Sequence, residues 1–339
     1  MAVRAPSKPQ SSRPADSAGF DSLAALGTAW AQSLRAANKA PKTVRVYGDA
    51  LATFASFIGE KGMPERVPNI RREHVEMFIV DRLATKKPTT VSIEYRALQQ
   101  FFKWAVEEDE IDESPMAKMK APRIPETPPP VYSDDDLRAL IDACTGRDYA
   151  ARRDMAIVRL LIDTGMRRGE LAGLMVEDVD FERGRVEIRA ETSKTRTGRS
   201  VPIGYAAGRA LAKYLRARAS HRDADAPAID DRGRPVIDER TRKPLHPLWL
   251  GLAGPMTVSG VAQAIKERGK LAGLGANVRP HLFRHTAAHR WQLDGGNETD
   301  LMTVMGWRSS AMLRRYGAGA REERAAETHR RLGLGDRLK

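Results

Sequence analysis

"MKAPRIPETPPPVYS", residues 119–133, holds five prolines. Proline is excluded from helix interiors because it lacks the backbone N–H donor and its ring clashes with the preceding turn. The stretch therefore predicts a stiff, extended, proline-rich linker over residues 119–132, with a separate domain on each side. A chain of 339 residues is long enough for two domains that each bury a core.

The chain before the linker has helical periodicity from residue 20 to 118. Two apolar stripes recur every three or four residues, Val44, Tyr47, Leu51, Phe54 and Ile58 in the first and Val91, Tyr95, Leu98, Phe102 and Ala105 in the second. We expect Thr43 to cap the first of these helices. Shorter helices at 21–37 and 72–84 complete an all-α domain. Residues 1–19, rich in Ser, Pro and Ala, predict a disordered tail.

The chain after the linker predicts a mixed domain. Ser133 and Asp136 form a capping box at its first helix. The alternations Val186/Ile188 and Val201/Ile203 bracket polar turns and predict a small antiparallel sheet. Residues 220–256, heavy in Pro, Asp and Arg, indicate a surface insertion. Helices are predicted at 134–145, 151–164, 205–219, 257–272, 280–293, 298–305 and 310–317.

The amino-acid composition indicates a soluble globular protein. The chain is 41% hydrophobic and 30% charged, which is typical of a soluble globular protein. No apolar run reaches the roughly 20 residues of a membrane span, and the N-terminus lacks the apolar centre of a signal peptide. These features predict a cytoplasmic protein. The single cysteine, Cys144, permits no internal disulfide, and we expect it on a helix face, packed into the core.

The charge balance predicts a polyanionic partner. The formal net charge is +13 and the pI is about 10.0. Nucleic acid is favoured over a membrane, because no helix combines a Lys/Arg face with a broad apolar face. Basic residues exceed acidic ones by 2 within residues 1–118 and by 11 over residues 119–339. The second domain is therefore predicted to bind the phosphate groups of the nucleic acid more strongly than the first.

Three basic stretches could carry chemistry, although each is weak when taken alone. "DTGMRRGELAGL" places Arg167 and Arg168 at a helix start, where guanidinium groups and a helix N-terminus together favour an anion. Lys194 lies at a predicted hairpin turn, from which a flexible ammonium can reach into a cleft. "RPHLFRHTAAHRW" puts His281 and Arg284 three apart on one helix face. Such arginines and lysines are most often simply solvated.

The histidines of that last stretch also raise a metal site. His281, His285 and His289 repeat every four residues, but the stretch has no acidic ligand and its interleaved arginines would repel a cation. We therefore predict no metal and no cofactor, and a structural role for His285 and His289. Further on, "GWRSSAMLRRYG" supplies Trp307, an indole N–H donor, and Tyr316 nine residues later. A tyrosine at such a place is far more often structural than nucleophilic.

Taken in order, these residues resemble the tyrosine recombinase, or phage integrase, family, over about residues 20–325. The family boxes TGLRxxEL, HxLRHTFAT and LGHxxxxxTxxYxH are similar to "TGMRRGEL", "HLFRHTAAH" and "LMTVMGWRSSAMLRRYG". Lys194 is similar to the family's hairpin lysine, which precedes an R-x-VP strand. Two departures are visible. Trp307 replaces a histidine, which keeps a donor but excludes proton shuttling there, and no histidine follows the tyrosine closely.

The resemblance implies a fold and a set of roles. The fold is an all-α core-binding (SAM-like) DNA-clamp domain at 20–118, and a mainly α catalytic domain at 133–320 with a small antiparallel sheet, the α+β DNA breaking-rejoining enzyme fold. Tyr316 would be the nucleophile, Arg167 and Arg284 the charge-neutralising pair and Lys194 the general acid. His281 would move a proton, Trp307 would contact phosphate and Glu170 would hold a basic side chain.

The implied activity is site-specific DNA recombination through a 3′-phosphotyrosine, without metal or ATP, for integration, excision or resolution. The architecture is simple, Xer-like or Cre-like. The implied partners are double-stranded DNA, a homotetramer on two DNA sites with a dimer on each, and accessory proteins. Residues 321–339 would form a tail helix exchanged between protomers. Two alternatives stay open, a type IB topoisomerase and a non-catalytic DNA-binding regulator on the same scaffold.

Overall fold

The computed structural model describes residues 21–125, 129–193, 197–275 and 278–333, with side chains except at 314–318 and 321. The chain divides into two compact units, Met1–Glu126 and Thr127–Lys339. The division falls in the proline-rich stretch, whose described residues from 119 to 132 contain no helix or strand. No described helix combines the length and apolar character that crossing a bilayer requires.

The N-terminal unit is all helical where it is described. It contains α1 (Leu23–Ala36), α2 (Pro41–Glu60), a 3₁₀ turn (Val67–Asn69), α3 (Arg72–Thr85) and α4 (Pro88–Glu107). Aromatic rings dominate its core, with Phe54 and Phe78 in edge-to-face contact at 5.1 Å between ring centres. Both predicted apolar stripes are buried except at Tyr47, which is half-buried and stacks on Trp30.

The start of α2 differs from the prediction. Thr43 is not the cap, because the helix begins two residues earlier at Pro41 and Ala40 occupies the N-cap position. Proline suits a first helical turn, since its φ is already near the helical value and its missing N–H would have no partner there. The sequence rule for polar caps was therefore overruled by a proline that starts the helix itself.

The C-terminal unit combines helices with two small sheets. Its helices are α5 (Asp134–Asp142), α6 (Tyr149–Thr164), α7 (Arg168–Ala172), α8 (Tyr205–Arg218), α9 (Val258–Leu271), α10 (Pro280–Leu293), α11 (Glu298–Met305) and α12 (Ser310–Leu332). Its strands are β1 (Val179–Asp180), β2 (Arg185–Ile188), β3 (Arg199–Pro202), β4 (Leu250–Gly251) and β5 (Gly254–Pro255). All pairings within the two sheets, β1-β2-β3 and β4-β5, are antiparallel.

Local sequence signals account for much of this unit. The capping box of α5 is confirmed, because the Ser133 hydroxyl accepts from the Asp136 backbone at 3.1 Å and the Asp136 carboxylate accepts from Ser133 at 2.9 Å. In the predicted sheet, Val186 pairs with Val201 and both are buried. Inward and outward side chains alternate along β2, as a half-buried strand requires. The mixed fold class is thus confirmed.

Three predictions for this unit need correction. Cys144 is buried, but α5 ends at Asp142, so the cysteine lies beyond the helix, where burial raises its pKa to about 12. The predicted surface insertion, residues 220–256, contains core side chains at Leu245, Leu248, Trp249 and Leu250. The Trp249 indole donates to the Leu171 carbonyl at 2.7 Å, which ties this segment to α7.

The third correction concerns α12. A short helix at 310–317 and a separate tail were predicted, but one helix runs from Ser310 to Leu332. A glycine inside a helix costs only about 1 kcal/mol relative to alanine, so Gly317 need not end it. Contacts with α10 hold the helix, with Ala320 fully buried and the Arg324 guanidinium donating to the Gln292 carbonyl at 2.9 Å. Residues 334–339 lie outside the described ranges.

Candidate active site

The last turn of α11 gathers three arginines from distant parts of the C-terminal unit. Three consecutive backbone carbonyls there each accept from a different guanidinium, Val304 from Arg199 Nε at 2.9 Å, Met305 from Arg284 Nη2 at 2.6 Å and Gly306 from Arg167 Nη2 at 3.5 Å. The final carbonyls of a helix have no partner within the helix and carry the negative end of its dipole. Guanidinium groups satisfy both conditions.

Gly306 makes this geometry possible. It ends α11 with a left-handed backbone, φ +61°, which glycine adopts without steric penalty. A Cβ on this residue would lie 3.0 Å from the guanidinium carbon of Arg199. Glycine therefore serves two purposes here, since it turns the chain and leaves room for the arginine.

A buried carboxylate links two of the arginines. Glu170, 1% exposed, accepts from the Arg167 backbone and guanidinium at 2.8 Å each. Arg199 donates to both oxygens of the same carboxylate, at 3.0 and 2.8 Å. Burial alone would raise the pKa of Glu170, but the hydrogen bonds and charges of the two arginines outweigh it and hold that pKa below its usual value. Glu170 is therefore ionised at neutral pH.

Arg284 is held differently, because its described partners are carbonyls and a ring. Its Nη1 donates to the Gly165 carbonyl at 3.0 Å, and its guanidinium carbon lies 5.4 Å from the centre of the Trp307 ring, a cation–π distance. Gly165 ends α6 with φ +56°, and a Cβ there would lie 2.8 Å from the Met305 side chain. The end of α6 thus packs directly on the end of α11.

This concentration of guanidinium groups suits an anion. Arg167, Arg199 and Arg284 meet at the end of α11, and Glu170 binds the first two of them. Two of these arginines keep some access to solvent, since the side chains of Arg167 and Arg199 are 20% and 10% exposed. Guanidinium groups held in fixed geometry bind phosphate oxygens well, because their planar donors match two oxygens at once and never lose the proton.

The other predicted site residues lie around this centre to different extents. Trp307, 6% exposed, follows α11 directly and contacts Arg284. His281 is exposed in the first turn of α10, one turn before Arg284. Lys194 lies outside the described residues, although both strands that flank it, β2 and β3, are described. Tyr316 lies within α12, and its side chain is outside the described part of the chain.

The histidines that raised a metal site differ in their surroundings. His281 is exposed, while His285 and His289 are half-buried in the middle of α10. The His289 ring approaches the Glu323 carboxylate of α12 at 3.6 Å. No group of three potential metal ligands occurs among the described residues.

Sequence reasoning missed one member of the site, Arg199. It appears in the R-x-VP pattern at the start of β3, which was matched to the family without a role for the arginine. Its partners Glu170 and Val304 lie 29 and 105 positions away, so no spacing rule connects them. The available signal was an arginine at a strand start, followed two positions later by Val201, a typical sheet residue.

Comparison with known proteins places this geometry in context. Residues 131–323 match the phage integrase family, and residues 26–112 match the phage integrase N-terminal SAM-like domain. A curated relative, tyrosine recombinase XerC of Thermodesulfovibrio yellowstonii, is 27% identical over 282 residues, which cover 81% of this chain and 84% of the relative.

Solved structures share the fold. One is XerH site-specific recombinase bound to a palindromic difH substrate in a post-cleavage complex, with a TM-score of 0.68, 15% identity and coverage of 91% of this chain and 84% of that one. Another is a lambda integrase tetramer bound to a Holliday junction, with a TM-score of 0.62, 15% identity and coverage of 89% and 83%.

Proposed function

The chain belongs to the phage integrase family, and from this premise we propose that it is a tyrosine site-specific recombinase acting on double-stranded DNA. The observation that carries the proposal is the set of three arginines at the end of α11, two of which share the buried carboxylate of Glu170. The curated relative is a tyrosine recombinase of similar length, and the net charge of +13 suits a nucleic-acid partner.

The proposed first step is an exchange of phosphate esters. The Tyr316 oxygen attacks the scissile phosphorus, a tyrosyl–phosphate bond forms and the bond to the 5′ oxygen breaks, which leaves a 3′-phosphotyrosine and a free 5′ hydroxyl. Attack by a DNA hydroxyl reverses the step and releases tyrosine. Because one phosphate ester replaces another, the bond energy is kept and no ATP is needed. Phenol, with an ordinary pKa near 10, is a good leaving group for rejoining.

Arg167 and Arg284 are proposed to neutralise the charge that develops on the non-bridging oxygens. Donors fixed in advance stabilise a transition state without reorganising, and each can contribute about 10²–10³-fold in rate. The carbonyls at the ends of α6 and α11 hold Arg284, and Glu170 holds Arg167. Because the guanidiniums supply the positive charge, the proposed chemistry uses no metal ion.

Proton transfer is assigned to two further residues. Lys194 is proposed to protonate the departing 5′ oxygen as general acid, and His281 to accept the tyrosine proton or to donate to the phosphate. Trp307 is proposed to contact the phosphate through its ring edge. Because its side chain does not titrate, proton transfer is left to Lys194 and His281. The polarity, with the phosphate on the 3′ side, follows the family.

The assembly is proposed to be a dimer on each DNA site and a tetramer on two sites. The helical domain at residues 20–118 would clamp the duplex together with the catalytic domain, to which the proline-rich linker connects it. Residues 321–339 would reach a neighbouring protomer. In isolation, the described part of this tail packs on α10 of its own chain, so exchange would require it to leave that surface. Accessory proteins and a cytoplasmic location belong to the same proposal.

The decisive experiment is covalent trapping. Binding sites are selected from a randomised duplex library, and nicked duplexes built from them trap the covalent intermediate because a short cleaved strand diffuses away. Tyr316→Phe should bind these duplexes like the wild type but form no covalent adduct. Tyr205→Phe, on an 80% exposed tyrosine of α8, is the matched control and should form adduct at the normal rate.

Each other outcome has a definite meaning. An adduct formed by Tyr316→Phe, or none formed by the wild type on any duplex that it binds, would overturn the assignment. The second case would favour the non-catalytic DNA-binding regulator. A four-way junction built from the selected site separates the two enzyme classes, since a recombinase should resolve it and a topoisomerase should only relax supercoiled DNA.

A further inference from the structure

Arg199 occupies a junction between three parts of the catalytic unit. It is the first residue of β3, it binds both oxygens of Glu170 in α7, and its Nε donates to the Val304 carbonyl in the last turn of α11. Its side chain is only 10% exposed. All three guanidinium nitrogens are therefore engaged, each with a different acceptor atom.

These contacts reach Arg167 by two routes. Glu170 accepts from Arg199 and from the Arg167 guanidinium, so the carboxylate lies between the two arginines. Gly306, whose carbonyl receives Arg167 at 3.5 Å, lies two residues after Val304, which receives Arg199. A shift of Arg199 would therefore move both groups that hold Arg167.

We propose that Arg199 is a positioning residue for DNA cleavage, which sets the position of the Arg167 guanidinium through Glu170 and the end of α11. The proposal rests on the proposed function, because Arg167 matters only if phosphate is cleaved. Arginine is required at position 199 because its planar fork spans the carboxylate while Nε reaches a carbonyl on another helix. A lysine ammonium cannot occupy all three places at once.

A second route would lead from Arg199 to Lys194, because Arg199 pairs with Ile188 in the last pair of the β2–β3 ladder and Lys194 lies between these strands in sequence. The other stem of that hairpin has its own anchor. Arg189, directly after β2, binds Asp178 at 2.6 Å and approaches Asp238 at 3.5 Å. The described bonds of the Arg199 guanidinium all lead to α7 and α11 instead. The geometry therefore points to an effect on Arg167 and not on the general acid.

The test uses four variants of the full chain on the selected nicked duplexes. Arg199→Gln removes the fork and Arg199→Lys keeps the charge. Arg268→Gln is the matched control, since Arg268 also joins a buried carboxylate, Asp154 at 2.9 Å, to a backbone carbonyl, Ala143 at 2.9 Å. Arg189→Gln loosens the hairpin from its other stem. DNA affinity and thermal unfolding are measured for all four.

Two modified substrates separate the routes. A methylphosphonate at the scissile position replaces one non-bridging oxygen by a methyl group and is neutral, so it depends much less on a well-placed Arg167. A bridging 5′ sulfur leaves without being protonated, so it does not need the general acid. We expect Arg199→Gln to lose about 10²-fold in adduct rate on the ordinary phosphate, the size of effect that a displacement of about 1 Å can cause.

The expected pattern is specific. The Arg199→Gln loss should fall below about tenfold on the methylphosphonate, as charge neutralisation is no longer demanded, and should persist on the 5′ sulfur substrate. Arg199→Lys should lose less than Arg199→Gln with the same pattern. Any loss of adduct rate in Arg189→Gln should be relieved only by the 5′ sulfur substrate. Arg268→Gln should lower the thermal stability, while the folded protein should form adduct at the normal rate.

Other patterns overturn the proposal. If the 5′ sulfur relieves the loss of adduct rate in Arg199→Gln, Arg199 acts on the general acid through the hairpin. Equal losses of adduct rate on all three substrates would mean that Arg199 has only a structural role. If Arg199→Gln does not fold, Arg199→Lys must show the methylphosphonate relief, or the proposal fails. Absence of adduct in the wild type would instead reject the proposed function, so the two failures are distinguishable.

Discussion

Two buried carboxylates of the C-terminal unit, Glu170 and Asp154, each bind two arginines, yet their surroundings differ. Asp154, 5% exposed, binds Arg153 at 2.8 Å and Arg268 at 2.9 Å. Both of its arginines also donate to backbone carbonyls, as the arginines around Glu170 do. At the level of single contacts, the two groups are closely similar.

The difference lies in the number of arginines and in which elements supply the backbone carbonyls. Around Asp154 a second carboxylate, Asp148, interacts electrostatically with Arg268 and balances the charge. Around Glu170 a third arginine, Arg284, joins the group by donating to carbonyls at the ends of α6 and α11. The carbonyls near Glu170 also come from one helix end, which brings the three guanidiniums together. A buried ion pair alone is therefore weak evidence of function, and the meeting of three guanidiniums at one helix end is what distinguishes the site.

The largest expected effect comes from removing the Arg284 guanidinium. Arg284→Gln should lower the rate of covalent adduct formation by about 10³-fold, because one transition-state donor and its charge are lost. Arg268→Gln should leave the rate of the folded protein within about twofold, because its charge is already balanced by carboxylates. Single-turnover trapping on nicked duplexes measures both. Equal losses in the two variants would remove the distinction between the groups.

The second comparison concerns the two carboxylates, and for Glu170→Gln it includes the dependence of unfolding free energy on pH. The pKa of Glu170 in the folded protein lies below its unfolded value of about 4.3, so its ionised form stabilises the fold fully above that pH and this stability is lost as pH falls through the folded pKa. Denaturant unfolding should show Glu170→Gln less stable by about 3 kcal/mol, with a gap that is constant from about pH 5 to 8 and shrinks in more acidic solution.

The two carboxylate variants should also differ in chemistry. Glu170→Gln should slow adduct formation by about 10²-fold, because Arg167 loses its partner, while Asp154→Asn should lose stability without slowing the folded protein. A stability gap for Glu170→Gln that opens as the solution becomes more acidic would contradict the lowered pKa. Normal adduct rates in Glu170→Gln would contradict its role in holding Arg167.

The smallest expected effect comes from two glycines with the same backbone requirement. Gly306 and Gly273 have φ of +61° and +74°, so alanine at either costs about 1 kcal/mol of backbone strain. Only Gly306 adjoins an arginine, and a Cβ at Gly273 would meet nothing within 4 Å. Both variants should melt at similar temperatures, but only Gly306→Ala should form adduct more slowly, by about tenfold. Equal adduct rates would remove Gly306 from the support of Arg199.

Much of the fold was predictable because it depends on neighbours in sequence. The stripes of α2 and α4, the Ser133 capping box and the alternation in β2 all arise from interactions over a few residues. The errors in α12 and in residues 220–256 occurred where longer-range contacts overruled local signals. Packing on α10 stabilises α12 as one continuous helix that includes Gly317. Contact with α7 buries Trp249, although the surrounding sequence is polar.

The sequence by itself determined the two-unit organisation, the basic character of the second unit and the order of the arginine, lysine, histidine, tryptophan and tyrosine motifs, since all of these are properties of composition and spacing. Only the tertiary structure decided which arginines share the end of α11 and which carboxylate joins them. The physical reason is that helix-end carbonyls accept from whichever donor the fold brings near, and here Arg167 and Arg199 arrive from 139 and 105 positions away.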